Sequence, residues 1–149
     1  MTLRIATVAD SISKLSVSGL TICDIDQIKA QADKRGSWLF PLGGFLSSPV
    51  HTRDSFGGSS AKMTLSYTFN YRLLYKPVGT GRTMTLEQIA GLVAMVGLIW
   101  DAILAIDTIT GCEDITIESL DSADGSVEDP SGNLWWGYDM GFRITEFVN

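Results

Sequence analysis

Metal-ligating and redox side chains are scarce in this chain of 149 residues, which holds a single histidine, His51, and two cysteines, Cys23 and Cys112. With so few soft ligands, and those far apart, there is no zinc-binding pattern. The two distant thiols fit reduced, unpaired groups in a cytosolic protein better than a disulfide framework. Basic residues run out after Arg82, with only Arg143 beyond it, and the net charge of −6 argues against a general nucleic-acid binder. The start, Met1-Thr2-Leu3-Arg4-Ile5, lacks the apolar core of an export signal. No internal repeat is visible.

Catalytic patterns are missing as well. Gly79-Thr80-Gly81 lies between a strand pattern and a helix pattern, but the third glycine of a dinucleotide fingerprint is absent and the strand before it alternates. Gly58-Ser59-Ser60-Ala61-Lys62 precedes a strand and so is no phosphate loop. His51, Asp54 and the nearby serines have triad ingredients without a nucleophile elbow. Asp121, Asp124, Glu128 and Asp129 miss the spacing of a calcium loop and read as a solvated acidic loop. We therefore expect no enzyme, no catalytic residue, no metal site and no cofactor. The apolar run Ile89–Ile106, broken only by Asp101, reads as a buried core helix rather than a membrane span, because strand patterns flank it and a mid-span charge is costly. Gly91 and Gly97 are not spaced as in a transmembrane dimer motif.

What the chain does have is apolar content. Hydrophobic residues make up 45% of it, enough for one domain with a sizeable core and for surplus apolar surface that partners would cover. Its charge is divided. Residues 1–82 hold ten Lys/Arg against five Asp, a balance of +5, whereas residues 83–149 hold one Arg against twelve acids, a balance of −11. Such a split suits either one solvated dipolar surface or a subunit whose basic flank meets the acidic flank of an identical neighbour.

Periodicity predicts an α+β fold: a mainly antiparallel or mixed sheet of four to five strands, with an N-terminal helix and one long helix on one face. Ile5, Val8, Ile12 and Leu15 mark the first helix, with Thr2 as its N-cap and Asp10 paired with Lys14. Residues 20–25 read as a strand, and 26–36 are compatible with a helical turn or two, Asp24 and Gln27 having capping-box spacing. Trp38-Leu39-Phe40-Pro41 reads as a strand near an edge. The Gly/Ser-rich residues 43–61 read as a long protruding loop on a single domain spanning 1–149. From Met63 to Tyr75, odd positions are apolar and alternate with Thr64, Ser66, Thr68, Asn70, Arg72 and Leu74, all but the last polar, the mark of a half-exposed strand. Thr85 and Gln88 predict a capping box opening the long helix, Leu86, Ile89, Val93, Val96, Trp100 and Ile103 its buried stripe, and Gly111 a stop. Ile115 and Ile117 mark a further strand, followed by an acidic loop from Asp121 to Gly132.

The last strand, "GNLWWGYDMGFRI", places Leu134, Trp136, Tyr138, Met140, Phe142 and Ile144 on a core face. The opposite face carries Trp135, Gly137, Asp139, Gly141 and Arg143, where either another chain or a loop can approach the glycines closely, or the glycines let a long strand bend.

"ICDIDQI" (22–28), "WLFP" (38–41), "YTFNYRLLYKPVGTGR" (67–82), the long helix, "IDTITG" (106–111), "EDPSGNLWWG" (128–137) and "EF" (146–147) follow one another in an order that resembles the tail terminator, or tail completion, proteins of bacteriophages with long non-contractile tails. The likeness covers nearly the whole chain, though relatives carry a proline where this chain has Lys29-Ala30. It implies a virion structural protein made in the host cytoplasm and placed at the tail–neck junction. Such a protein forms a hexameric ring, caps the head-proximal end of the tail tube, stops its polymerisation, and meets the tube protein, the tape-measure end and a neck or head completion protein. DNA crosses that ring without specific binding, and no membrane is involved. The expected subunit and partner contacts are Arg53, Phe56, Arg72, Arg82, Glu113, Asp114, Glu118 and Trp135. The alternatives are another neck or tail-tube component such as a head completion protein, a small-ligand or enzyme domain using Gly79–Arg82, and a membrane-associated domain anchored by 89–106.

Overall fold

The computed structural model describes residues 4–23, 36–53, 63–79, 83–106, 112–122 and 124–148. In chain order these form α1 (Ile5–Ser13), β1 (Leu20–Ile22), β2 (Ser37–Arg53), β3 (Met63–Pro77), α2 (Leu86–Leu104), β4 (Cys112–Asp121), β5 (Ser126–Glu128) and β6 (Leu134–Val148). The class is α+β. The described sheet has six strands rather than four to five, in the order β1-β2-β3-β6-β4, with β5 also on β6. All neighbours are antiparallel except β1, which runs parallel to the first residues of β2.

The centre of the sheet is the pair β3 and β6, matched from Met63 opposite Val148 to Pro77 opposite Trp135. Period-two patterning puts Tyr67, Phe69, Tyr71 and Leu73 of β3 beside Met140, Phe142 and Ile144 of β6 on one face. Val8 and Ile12 of α1, and Leu92, Met95, Ile99 and Ile103 of α2, complete that core. The first helix forms as its spacing predicts, and Lys14 Nζ sits 2.8 Å from Asp10 Oδ2. Its start has no side-chain cap of its own. The Arg4 N–H donates instead to Oε1 of Glu146, a fully buried carboxylate, at 2.6 Å; Thr2 lies outside the described residues.

Two further expectations change. Residues 43–53 are strand, not loop: β2 continues to Arg53, opposite Met63. It is an irregular strand, with register shifts between Pro41 and Leu46 and between Ser47 and Val50, and its glycines and prolines fall there. Bulges on a sheet edge tolerate that composition, which otherwise reads as loop. Residues 54–61 of the expected loop, the stretch 24–35, and Gly111 lie outside the described residues.

The long helix starts with the expected capping box, Gln88 N–H donating to Thr85 Oγ1 at 3.2 Å and Thr85 N–H to Gln88 Oε1 at 3.1 Å. Its buried stripe is another one. Leu92, Met95, Ile99 and Ile103 face the sheet, whereas Leu86, Ile89, Val93 and Trp100 are exposed and Val96 is only partly covered. Of the stripe expected from the sequence, only Ile103 is buried. A helix apolar on most of its circumference offers two stripes, and periodicity does not choose between them.

Candidate functional site

The face of the sheet opposite α1 and α2 is polar. Along β3 it carries Thr64, Ser66, Thr68, Asn70 and Arg72, along β6 Asp139, Gly141, Arg143 and Thr145, and along β4 Asp114, Thr116 and Ser119. Its groups are mostly joined to one another. Arg72 donates through Nε to Asp139 Oδ1 at 2.6 Å, through Nη2 to Oδ2 at 2.9 Å, and through Nη1 to the Glu128 carbonyl at 3.0 Å. The hydrogen bond to Asp139 raises the Arg72 pKa, outweighing partial burial. Thr68 Oγ1 donates to Glu118 Oε2 at 2.8 Å, and Arg143 Nη1 lies 3.6 Å from Glu118 Oε1. Asn70 Nδ2 donates to the Gly44 carbonyl and to Ser47 Oγ, both at 2.8 Å, which ties β2 to β3 across a register shift.

At one end of this face a second, smaller core closes the sheet: Trp135 with Trp38, Phe40, Leu74 and Val127. Asp129 builds it. This buried carboxylate accepts from the backbone N–H groups of Ser131 and Asn133 at 2.9 Å each and from Trp135 Nε1 at 3.0 Å. The Asp-Pro-Ser-Gly-Asn run is thus a side-chain-stapled turn that holds Trp135 in place, not part of a solvated loop. The two glycines opposite serve the chain itself: a Cβ on Gly137 would run into the Leu73 carbonyl, and one on Gly141 would lie 2.8 Å from Ser119 Oγ.

β4 and β5 both pair with β6 and run in line, but the chain leaves the ladder between them, turning back through Asp124 and Gly125, which both have positive φ. An open cleft of about 590 Å³ lies there, lined by Arg72, Asp121, Asp124, Ser126, Glu128 and Asp139 among others. Its one cation among the described residues is already committed to Asp139. Among the described residues no group of three or more His, Cys, Asp or Glu is placed to hold a metal ion.

The residues singled out from the sequence do not form one cluster. Arg72 and Glu118 share the polar face, each with an intramolecular partner. Trp135 is 1% exposed and has almost no surface to offer a partner. Arg53 ends β2, while Glu113 and Asp114 sit on β4, across the sheet from it. Phe56 and Arg82 lie outside the described residues. Sequence reasoning missed the Arg72–Asp139 pair, which nothing in the spacing announces. It also missed Asp129, whose position before Pro130 was the available signal.

Two unlike strand edges remain open in the described sheet. Among the described residues, β1 covers β2 only at residues 37–39 and no other strand borders the outer side of β2, while β4 borders the opposite side of the sheet. The chain matches no protein-family model and no curated protein sequence.

Proposed function

We propose that the chain is a tail terminator: a ring-forming virion protein that caps the head-proximal end of a phage tail tube and joins it to the neck. The observation that supports this best is the pair of unlike open edges, β4 bearing Asp114 and Glu118 and the far part of β2 ending in Arg53. Laying β4 of one subunit along β2 of the next continues the antiparallel alternation of the sheet. The contact is head-to-tail, so rotation closes it into a ring.

The polar face would then line the lumen. Its arginines are held by Asp139 and Glu118, leaving no unpaired row of cations to grip passing phosphates. Net charge of −6 acts in the same direction.

The test is capping. Added to polymerising tail-tube protein of the phage that encodes it, gold-labelled chain should appear at one end of each tube and shorten the length distribution. Unchanged tube lengths with no end label would refute the proposal, and label only on assembled necks would assign the chain to a neck component instead.

A further inference from the structure

α2 presents an apolar face that the described residues leave uncovered. Leu86, Val93, Leu104 and Trp100 are 85%, 64%, 51% and 39% exposed, and Ala90 and Gly97 between them are exposed too. These six positions follow one another at intervals of four, three, four, three and four, the spacing of a seam that packs against another α-helix. The seam points away from Leu92, Met95 and Ile99, which face the sheet.

Gly97 sets the partner. A Cβ built on it meets nothing within 4 Å, so no contact among the described residues requires a glycine there. Gly91 is the contrast, since a Cβ on it would strike the Tyr75 hydroxyl. A glycine in an exposed helix interior weakens the helix relative to alanine, and nothing among the described residues gains from it.

We infer that this face is a homotypic docking surface, on which a second copy of the chain lays its own α2 antiparallel, the two-fold axis passing at the level of Met95. That arrangement sets Val93 against the partner's Gly97, Trp100 against the partner's Ala90, and Leu86 against the partner's Leu104. Every bulky residue of the inner pairs meets a small one, so the seam is its own complement. The exposed fractions amount to about 500 Å² of apolar surface per copy and about 1,000 Å² for a pair, the lower bound for a specific interface. A lipid surface fits less well: α2 is long and apolar enough to cross a membrane, but its charged residues are Glu87 and Asp101, and it has no Lys or Arg to meet anionic headgroups.

The pairing goes beyond the ring proposed above and uses none of its strand edges. The two also differ in sign. Antiparallel pairing brings Glu87 of each copy to the flank where the partner's Asp101 lies, so added salt strengthens it, whereas a contact between a basic and an acidic flank weakens with salt.

Sedimentation of the full chain over a concentration series, at low and high salt, tests the inference. Wild type should form dimers more tightly at high salt. Gly97→Leu, which adds apolar surface at an exposed position where a Cβ meets nothing within 4 Å, should raise the dimer Kd at least about tenfold, and Gly97→Ala by less. Dimers undiminished in Gly97→Leu, or a wild-type chain that stays monomeric at every salt, would overturn it. So would a monomer that instead floats with phosphatidylcholine or phosphatidylserine vesicles. Loss of ring assembly by charge reversal on the strand edges, with dimers intact, would count against the ring alone.

Discussion

Gly137 has no room for a methyl group. A Cβ there would meet the carbonyl of Leu73 and lie 3.3 Å from Val127 Cγ2, and backbone in the middle of a ladder does not yield cheaply. Gly137→Ala should therefore lower stability by about 1–3 kcal/mol in a denaturant titration. Gly97→Ala in the free subunit should raise it by about 0.5–1 kcal/mol, because there the added methyl only reduces the freedom of the unfolded chain and improves helix propensity. Tyr71 provides a pH test. Its buried phenol is pushed up from 10.0 to about 12 by desolvation, so the fold favours the neutral form. The associated stability is fully present below pH 10 and is lost as pH rises through the folded value. The loss should reach about 2–3 kcal/mol by pH 12, the free-energy equivalent of that shift. Tyr71→Phe should flatten this part of the stability–pH curve; an unchanged alkaline slope in that variant would place the loss elsewhere.

The two long elements differ in how much their sequences revealed. β3 alternates cleanly, so its buried face, Tyr67 to Leu73, was legible at once, as was the face of β6 from Met140 to Ile144. The start of α2 was legible from Thr85 and Gln88 because a capping box is local chemistry. Its orientation was not. Leu92, Met95 and Ile99 compete with Leu86, Val93 and Trp100 as an inner stripe, and only the shape of the sheet decides between them. Ile99→Ala should accordingly cost about 2–5 kcal/mol through a cavity under α2. Trp100→Ala, half-exposed on the outer side, should cost less than about 1 kcal/mol in the monomer and appear mainly as weaker self-association. Equal losses for both would contradict the orientation. The strand from Gly43 to Arg53 was hidden for the opposite reason: bulged edges admit Gly, Ser and Pro, and that composition resembles a loop. At the polar face, Arg72 was visible as a charge on an alternating strand, but its partner Asp139 is a register fact that a single strand does not contain.

At the scale of the molecule, the charge split has become a matter of edges. Arg72 is not available for a neighbour, since its reversal would place a carboxylate against Asp139 inside the subunit. The pair to reverse is Asp114 on β4 and Arg53 at the end of β2. Asp114→Lys should weaken ring assembly most at low salt, and Arg53→Glu in the same chain should partly restore it, an inter-subunit pair of this kind contributing about 0–1 kcal/mol. The measurement that bears most directly on the ring is the mass of the assembled particle, taken by native mass spectrometry on Gly97→Leu so that pairing through α2 does not intrude. The account predicts a single closed species of six copies, with a central opening in electron micrographs. Monomers at every concentration, or an unbounded ladder of sizes, would contradict it.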